Sequence, residues 1–304
     1  MKRPLVGTFA MALFGATAVT GLATTPAAAA APPERDTAQD VISKTVDRVV
    51  PGAAAKPPKA GAPDFAGTVA LSNCSGSLVK MPGSQPGDPG LLLSNGHCLE
   101  EGMPSPGQVI VDQPSQRNFT LLNASGGNAG TLTSTKISYA AMTDTDVSLY
   151  ELDSTYEEIK SETGIDPLEV DASHPTQGNA ITVVSGYWKE TYGCSIDGFV
   201  HELREDGWSF KDSLRYTGEC DTKGGTSGSP VIDNGSGKVV GVNNTRNENG
   251  QECTLNNPCE VDEAGNVTVH EGTAYGQQTY TLTPCMGAGN KVDLNLPDCK
   301  LPKP

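Results

Sequence analysis

The chain has 304 residues, of which 36 are acidic and 21 are basic, and its formal net charge is −15 at pH 7. This balance disfavours nucleic acids and anionic membranes as partners, because like charges repel. It favours a soluble protein and substrates that carry positive charge.

Residues 1–31 have the composition of a secretory signal. Lys2 and Arg3 precede an apolar run from Leu5 to about Leu22, and alanines end the segment. The run is too short and too rich in alanine for a spanning helix, so we predict a cleaved signal peptide and not a membrane anchor. Cleavage removes two basic and no acidic residues, which makes the net charge −17. We therefore predict a secreted, extracellular protein that has no membrane partner after cleavage.

Residues 32–63 combine a predicted helix with a linker. Apolar residues of the segment 36–50 recur at helical spacing, polar residues at its start can cap it, and Pro51 ends it. Residues 51–63 are rich in Pro, Ala, Gly and Lys, which is typical of a linker. The whole segment is either a propeptide removed during maturation or an N-terminal arm that packs on the domain, and both interpretations stay open.

Residues 64–304 form the predicted folded domain. Short β-branched runs are separated by Gly, Asn, Asp and Pro, and the predicted strands include residues 67–71, 108–111, 179–184, 238–242 and 266–269. The segment 154–163 (Ser-Thr-Tyr-Glu-Glu-Ile-Lys-Ser-Glu-Thr) is predicted to form a short surface helix. About 240 residues of this pattern indicate an all-β protein built from a pair of packed barrels.

All eight cysteines lie in the exported part of the chain, and their even number predicts four disulfides. They are Cys74, Cys98, Cys194, Cys220, Cys253, Cys259, Cys285 and Cys299. We expect sequential pairing, because each such bridge closes a short local loop, although eight cysteines allow about a hundred connectivities. Zinc is the alternative, but no Cys-x-x-Cys pair or suitably spaced histidine supports it, so no metal is predicted.

The segment 224–231 (Gly-Gly-Thr-Ser-Gly-Ser-Pro-Val) places a hydroxyl among glycines, where backbone N–H groups can approach a reacting carbonyl. Ser227 is the candidate nucleophile. A serine needs a neighbouring base, and His97 is the candidate because a Cys74–Cys98 bridge would fix its loop. The other histidines have predicted surface or packing roles; they are His174, His201 and His270.

The base in turn needs a carboxylate that orients it. Asp146 stands at the mouth of the alternating run 147–152, which buries its carboxylate among apolar side chains. Asp146 is therefore the candidate. Asp144 is the alternative, although an aspartate before a strand is usually a turn residue.

Together these segments resemble the chymotrypsin-like (trypsin-type) serine endopeptidases, near the secreted bacterial Gly-x-Ser-Gly-Ser-Pro branch that includes glutamyl endopeptidases. The resemblance rests on the histidine motif 94–98, the strand 74–79 before it, the aspartate motif 146–149 and the nucleophile motif 225–230. It covers about residues 67–242. Each motif is weak by itself, and the set in this order is specific.

The resemblance implies two packed six-stranded antiparallel β-barrels with the active site in the cleft between them. It implies that Ser227 attacks a peptide carbonyl, that His97 is general base and then acid, and that Asp146 orients His97. The backbone N–H groups of Gly225 and Ser227 would stabilise the oxyanion. No metal or other cofactor is implied. The alternative fold, an α/β-hydrolase, needs a Gly-x-Ser-x-Gly elbow, and Ser229 stands at the last position here.

Three positions near the nucleophile refine this picture. Thr226 stands where many animal relatives carry an aspartate that pairs with a newly cut N-terminus, so we expect no such switch. Asn243 stands where glutamyl-specific relatives place a histidine, so we expect no preference for acidic P1 residues. Asp221, similar in place to the aspartate that receives Arg or Lys in trypsin-type enzymes, is either a substrate-binding residue or a surface turn residue, and Lys223 can neutralise it. We assign Asp221 and Asn243 to substrate binding as expectations.

The sequence thus predicts a monomeric, secreted serine endopeptidase that acts on proteins or peptides. The alternative is a catalytically silent protein on the same scaffold that binds a peptide or a surface partner. A third interpretation is a disulfide-stapled protease inhibitor or wall protein. An intact set of His97, Asp146 and Ser227 favours the enzyme, because a binding role needs none of the three.

Overall fold

The structure is a computed structural model and describes residues 63–304. The predicted signal peptide, the predicted helix at 36–50 and nearly all of the linker lie outside the described residues. No helix within residues 63–304 is long and apolar enough to span a membrane.

The first half of the described chain forms one closed barrel. Its elements are β1 (Thr68–Ala70), β2 (Ser75–Lys80), β3 (Pro89–Ser94), β4 (Val109–Pro114), β5 (Asn118–Leu122), β6 (Asn128–Ala141), β7 (Val147–Thr155), α1 (Tyr156–Thr163) and β8 (Leu168–Glu169). Strands β1, β5, β6, β7, β3 and β2 pair antiparallel in that order, and β2 pairs again with β1. β4 adds to β6, and β8 pairs in parallel with β2.

The second half repeats this plan. Its strands are β9 (Ala180–Ser185), β10 (Glu190–Glu205), β11 (Trp208–Tyr216), β12 (Pro230–Asp233), β13 (Val239–Arg246), β14 (Cys259–Val261), β15 (Val267–Thr268) and β16 (Ala274–Gln278). β9, β10, β11, β16, β13 and β12 pair antiparallel in that order, and β12 pairs with β9 to close the ring. The predicted all-β architecture of two six-stranded barrels is confirmed, and each of the five predicted strands overlaps an observed one.

Strand β3 shows how the sequence fills the core. All residues from Gly90 to Ser94 are buried, and alternate side chains of a strand point to opposite faces. Leu92 packs inside the first barrel with Leu78, whereas Leu91 and Leu93 join a cluster that includes Ile232 of the second barrel. β3 therefore serves both the core of its own barrel and the seam between the barrels, and it ends directly at the histidine motif.

The helix α1 confirms the helix predicted at 154–163, and it begins two residues later. The Thr155 side chain accepts the Glu158 N–H, and the Glu158 carboxylate accepts the Thr155 N–H at 2.8 Å. This reciprocal capping fixes the first turn, and Gly164, at φ 74°, ends the helix in a left-handed conformation.

The disulfides join Cys74 to Cys98, Cys194 to Cys220, Cys253 to Cys259 and Cys285 to Cys299, the predicted sequential order. The first ties the start of β2 to the 3₁₀ turn Gly96–Cys98. The last closes a loop of the C-terminal segment, whose Leu282 and Leu301 pack in the same cluster as Leu91, Leu93 and Ile232.

Candidate active site

His97 and Asp146 form the best-defined part of the site. Asp146 directly precedes β7, and its side chain is 1% exposed. Its Oδ2 lies 2.6 Å from His97 Nδ1, and its Oδ1 accepts the His97 backbone N–H at 3.1 Å. These two contacts fix the imidazole through Nδ1, so Nε2 is the ring nitrogen left for chemistry. A buried carboxylate bound to Nδ1 holds the neutral ring in the tautomer whose Nε2 can accept a proton.

The charge environment favours the protonated form of His97. Burial by itself lowers the pKa of the imidazole, whereas the charge and hydrogen bond of Asp146 and the charge of Glu205 raise it. The net result is a His97 pKa above its ordinary value of 6.5. Asp146 and Glu205 therefore stabilise the imidazolium that a proton transfer to Nε2 would create.

Ser227 lies in the turn before β12 and lines the same cleft as His97. Its hydroxyl donates to the Asn244 carbonyl at 3.1 Å, and no hydrogen bond joins it to His97 in the described part of the chain. A hydroxyl that serves as nucleophile would have to exchange the Asn244 carbonyl for His97. Catalytic hydrogen bonds are often absent or long before substrate binds and tighten only in the complex.

The nucleophile loop also presents two backbone donors. Within residues 63–304, neither the Gly225 N–H nor the Ser227 N–H donates to a protein acceptor. Gly225 has φ +89°, and a side chain there would meet the rings of Tyr187 and Trp188. Glycine is therefore needed at this position both for the backbone conformation and for the space.

Asn95 is a positioning residue that the sequence interpretation missed. It is fully buried; its Nδ2 donates to the Asp146 carbonyl at 2.7 Å, and its Oδ1 accepts the Gly228 N–H at 2.5 Å. One amide thus joins the histidine turn, the aspartate segment and the residue after Ser227. The only local signal was a polar residue between a buried strand and His97, which is too common to interpret.

We expect Asn95→Ala to destabilise the protein by about 1–3 kcal/mol, because the Asp146 carbonyl loses the Asn95 amide and the Gly228 N–H keeps only the Asn243 carbonyl. Urea denaturation measures this change. The matched control is Asn118→Ala, since Asn118 is exposed and only accepts a bond from Thr133 at the surface. If the Asn95→Ala variant and the parent protein unfold at the same urea concentration, the hydrogen bonds of the Asn95 amide do not stabilise the fold.

The structure places Asp221 apart from the cleft lining. Its side chain is 83% exposed and is bound to Arg246, while its neighbours Thr222 and Lys223 line the cleft. Arg246 holds the pKa of the Asp221 carboxyl below its usual value. Lys223 forms its salt bridge with Glu190, at 2.8 Å, and not with Asp221. A role of Asp221 in binding substrate stays a prediction. A substrate cation would have to compete with Arg246 for its carboxylate.

Asn243 lies beneath the nucleophile loop. It is 2% exposed, its Nδ2 donates to Thr226 Oγ1 at 3.1 Å, and its backbone pairs with Ser229 and Gly228. Its Oδ1 has no hydrogen-bond partner among residues 63–304. The contacts support the loop that carries Ser227, and the substrate-binding role of Asn243 stays a prediction.

The remaining candidates lie outside the cleft. His174 packs against Phe199 and Tyr280, His201 is exposed on β10, and His270 lies 3.7 Å from Glu260. Asp144, the alternative carboxylate, pairs with Lys211 at 2.9 Å. Cys74 and Cys98 group with His97 at metal-ligand distances, but both sulfurs are bound in the disulfide and offer no thiolate to a metal.

Comparison with known proteins gives a family and a set of structures. The trypsin-like peptidase domain model matches residues 74–242. No curated protein matches the chain. The MamO protease domain from Magnetospirillum magneticum is 11% identical, with 70% of this chain and 92% of that chain covered at a TM-score of 0.43.

Two other solved structures are similar at the same level. The active form of the Rv3671c protease from M. tuberculosis is 15% identical, with 79% of this chain and 85% of that chain covered at a TM-score of 0.44. The thermostable serine protease AL20 from an extremophilic microorganism is 15% identical, with 71% and 91% covered at a TM-score of 0.40. Because the matched segment 74–242 spans more than half of the sequence, the chain belongs to the trypsin-like peptidase family.

Proposed function

We propose that the protein is a secreted serine endopeptidase that hydrolyses peptide bonds through an acyl-enzyme. The observation that carries the proposal is the 2.6 Å contact between Asp146 and His97 Nδ1, in a cleft that Ser227 also lines. Four disulfides support an oxidising, extracellular setting. Membership of the Gly-x-Ser-Gly-Ser-Pro branch and a monomeric state stay predictions.

In the proposed mechanism the Ser227 oxygen attacks the peptide carbonyl while His97 Nε2 takes the hydroxyl proton. The negative oxygen of the tetrahedral intermediate receives the N–H groups of Gly225 and Ser227. When the C–N bond breaks, His97 returns the proton to the leaving amine, and the acyl group stays on Ser227. Water then attacks this ester, its proton passes to His97, and the serine is regenerated with release of the acid.

The test is covalent labelling with a fluorophosphonate, mapped by mass spectrometry of the labelled peptide. We expect one label, on Ser227, and loss of casein turnover in proportion to labelling. A folded protein that takes no label and turns over no casein would contradict the proposal.

The second candidate is a catalytically silent protein that binds peptides in the same cleft. The hydrogen bond from the Ser227 hydroxyl to the Asn244 carbonyl favours it, because this orientation does not engage His97. It predicts an unlabelled Ser227 together with measurable binding of peptides, so the same labelling experiment separates the two candidates.

The raised pKa of His97 predicts where activity is lost in acid. General-base catalysis needs the neutral imidazole, and a raised pKa means that the ring keeps its proton up to a higher pH. We therefore expect kcat/KM to fall as pH drops, with the midpoint of the fall above 6.5. Initial rates on a peptide substrate from about pH 5 to about pH 9 measure it. A midpoint at or below the ordinary imidazole value would contradict this account of the His97 environment.

A further inference from the structure

Glu205 is a buried carboxylate in the wall of the catalytic cleft. It ends β10, it is only 8% exposed, and it lines the cleft together with His97 and Ser227. Burial raises its pKa, which the Thr245 hydroxyl, the Asn256 N–H and His97 partly oppose. Burying a carboxylate costs free energy, and these contacts offset only part of that cost, so a cation bound beside Glu205 would be stabilised.

A disulfide-closed loop holds Glu205 in place. The Asn256 N–H donates to Glu205 Oε1 at 2.7 Å, and Asn256 has φ 59°, a left-handed conformation. The Asp206 N–H donates to the Cys253 carbonyl at 2.8 Å, and Cys253 is bridged to Cys259. The loop therefore fixes one carboxylate oxygen, and the orientation of Glu205 does not depend on a bound molecule.

The lysine and the arginine that line the cleft form salt bridges with acids other than Glu205. Lys223 pairs with Glu190, and Arg246 pairs with Asp221. Within residues 63–304, neither of these cations nor any other lysine or arginine makes a salt bridge to Glu205. No lysine or arginine in this part of the chain therefore neutralises the carboxylate, and the one ionisable base that acts on its charge is His97 of the proposed reaction.

The surroundings of Glu205 in the cleft suit a long cationic side chain. The apolar side chains that line the cleft are Met103, Met142, Trp208, Phe210 and Leu255. Met103 and Leu255 are 46% and 50% exposed. The methylene stem of a lysine or an arginine packs on such surfaces while its charged head reaches a carboxylate. A short or acidic side chain would leave the apolar wall or the carboxylate without a partner.

We propose that Glu205 is the specificity-determining residue of a subsite that receives a lysine or arginine side chain of the substrate peptide beside His97. The inference rests on the proposed peptidase function for its biological meaning, but the subsite is a binding property that can be measured without turnover. In this proposal Glu205 binds the positive charge of the substrate side chain. Asp221, the residue that the sequence suggested for this role, does not.

The test uses the full exported chain carrying Ser227→Ala, so that peptides bind without being cut. Peptides that differ only by lysine or its uncharged isostere norleucine, at one position at a time on either side of the scissile bond, are titrated by calorimetry. We expect lysine to bind about 10- to 100-fold more tightly than norleucine at a single position, since one fixed carboxylate serves one side chain. Adding Glu205→Gln should bring that ratio to about 1, because the amide keeps the size and the acceptor for Asn256 but loses the charge.

Asp221→Asn and Glu248→Gln are the matched controls. Asp221 represents the competing site, and Glu248 is an exposed acid of the same cleft. We expect both variants to keep the preference for lysine. A preference for lysine that survives Glu205→Gln, equal losses in all three variants, or no preference at any position would overturn the inference. Thermal unfolding checks that Glu205→Gln is folded. If it is not, Glu205→Asp takes its place, and we expect it to lower the ratio of lysine to norleucine affinity because the carboxylate is withdrawn by one methylene. An unchanged ratio in that variant would overturn the inference.

Failure of the peptidase proposal gives a different result. A protein that takes no fluorophosphonate on Ser227 but shows the Glu205-dependent preference contradicts the enzyme and supports the subsite. A labelled, active protein without that preference contradicts the subsite alone.

Discussion

Replacing Ser227 with alanine is expected to lower kcat by about 10⁶-fold, while the midpoint of thermal unfolding stays close to that of the parent protein. The hydroxyl is the proposed nucleophile, and no other group in the reaction replaces it. Its loss removes a single hydrogen bond, to the Asn244 carbonyl. The cost in stability is therefore small compared with the cost in rate. Single-turnover and steady-state assays on a peptide, with calorimetric unfolding alongside, measure both.

The matched control is Ser229→Ala, two residues along the same motif. The Ser229 hydroxyl is buried and has no hydrogen-bond partner among residues 63–304. Because the Ser229 hydroxyl has no partner, its removal leaves no other group without a hydrogen bond. We therefore expect activity within about threefold of that of the parent protein. If Ser227→Ala keeps its activity, or if its unfolding midpoint collapses together with its rate, the assignment of Ser227 as nucleophile is wrong.

Replacing Asp146 with asparagine is expected to lower kcat by about 10⁴-fold, which is the loss known for this change in a trypsin-like triad. Asp146 binds His97 through both carboxylate oxygens. An asparagine amide that donates to Nδ1 would force the proton onto Nε2, and His97 then has no lone pair for the serine proton. Loss of the charge also removes a major cause of the raised His97 pKa. The measurements are kcat and the rate of fluorophosphonate labelling near neutral pH.

Asp144→Asn is the control for this prediction. Asp144 is also an aspartate before β7, but its carboxylate pairs with Lys211 at the surface. Surface pairs of this kind contribute little, so we expect near-parental activity. A large loss in Asp144→Asn with little loss in Asp146→Asn would reverse the assignment. The double variant Asp146→Asn with Ser227→Ala should be no slower than Ser227→Ala alone, because the residues of a triad act as a unit.

The elements that depend on short-range signals followed from the sequence. Alternating β-branched runs predicted strands such as β9 and β13, because the period of two places one face of each run in a barrel core. Thr155 and Glu158 lie three residues apart and cap α1 without help from the rest of the chain. The compact motifs around His97, Asp146 and Ser227 likewise carry their residue types within a few positions.

Contacts between distant segments decided the rest. Asn95 joins segments that lie 51 and 133 residues away, and no local pattern marks it. Asp221 pairs with Arg246, which lies 25 residues further on and belongs to β13, so the neutralising cation is not the neighbouring Lys223. Glu205 reaches the cleft only because β10 and a disulfide-closed loop bring it there.

The sequence by itself therefore indicated the class of fold and the three residues proposed for chemistry, and it favoured the chain-order pairing of the cysteines that the structure shows. The reason is that strand periodicity, short loop closure and motif composition are local properties. The tertiary structure alone decided the other charge contacts: Asp221 pairs with Arg246, and Glu205 pairs with no lysine or arginine among the described residues. Charge pairing depends on distances set by the closure of both barrels, and a linear sequence does not carry those distances.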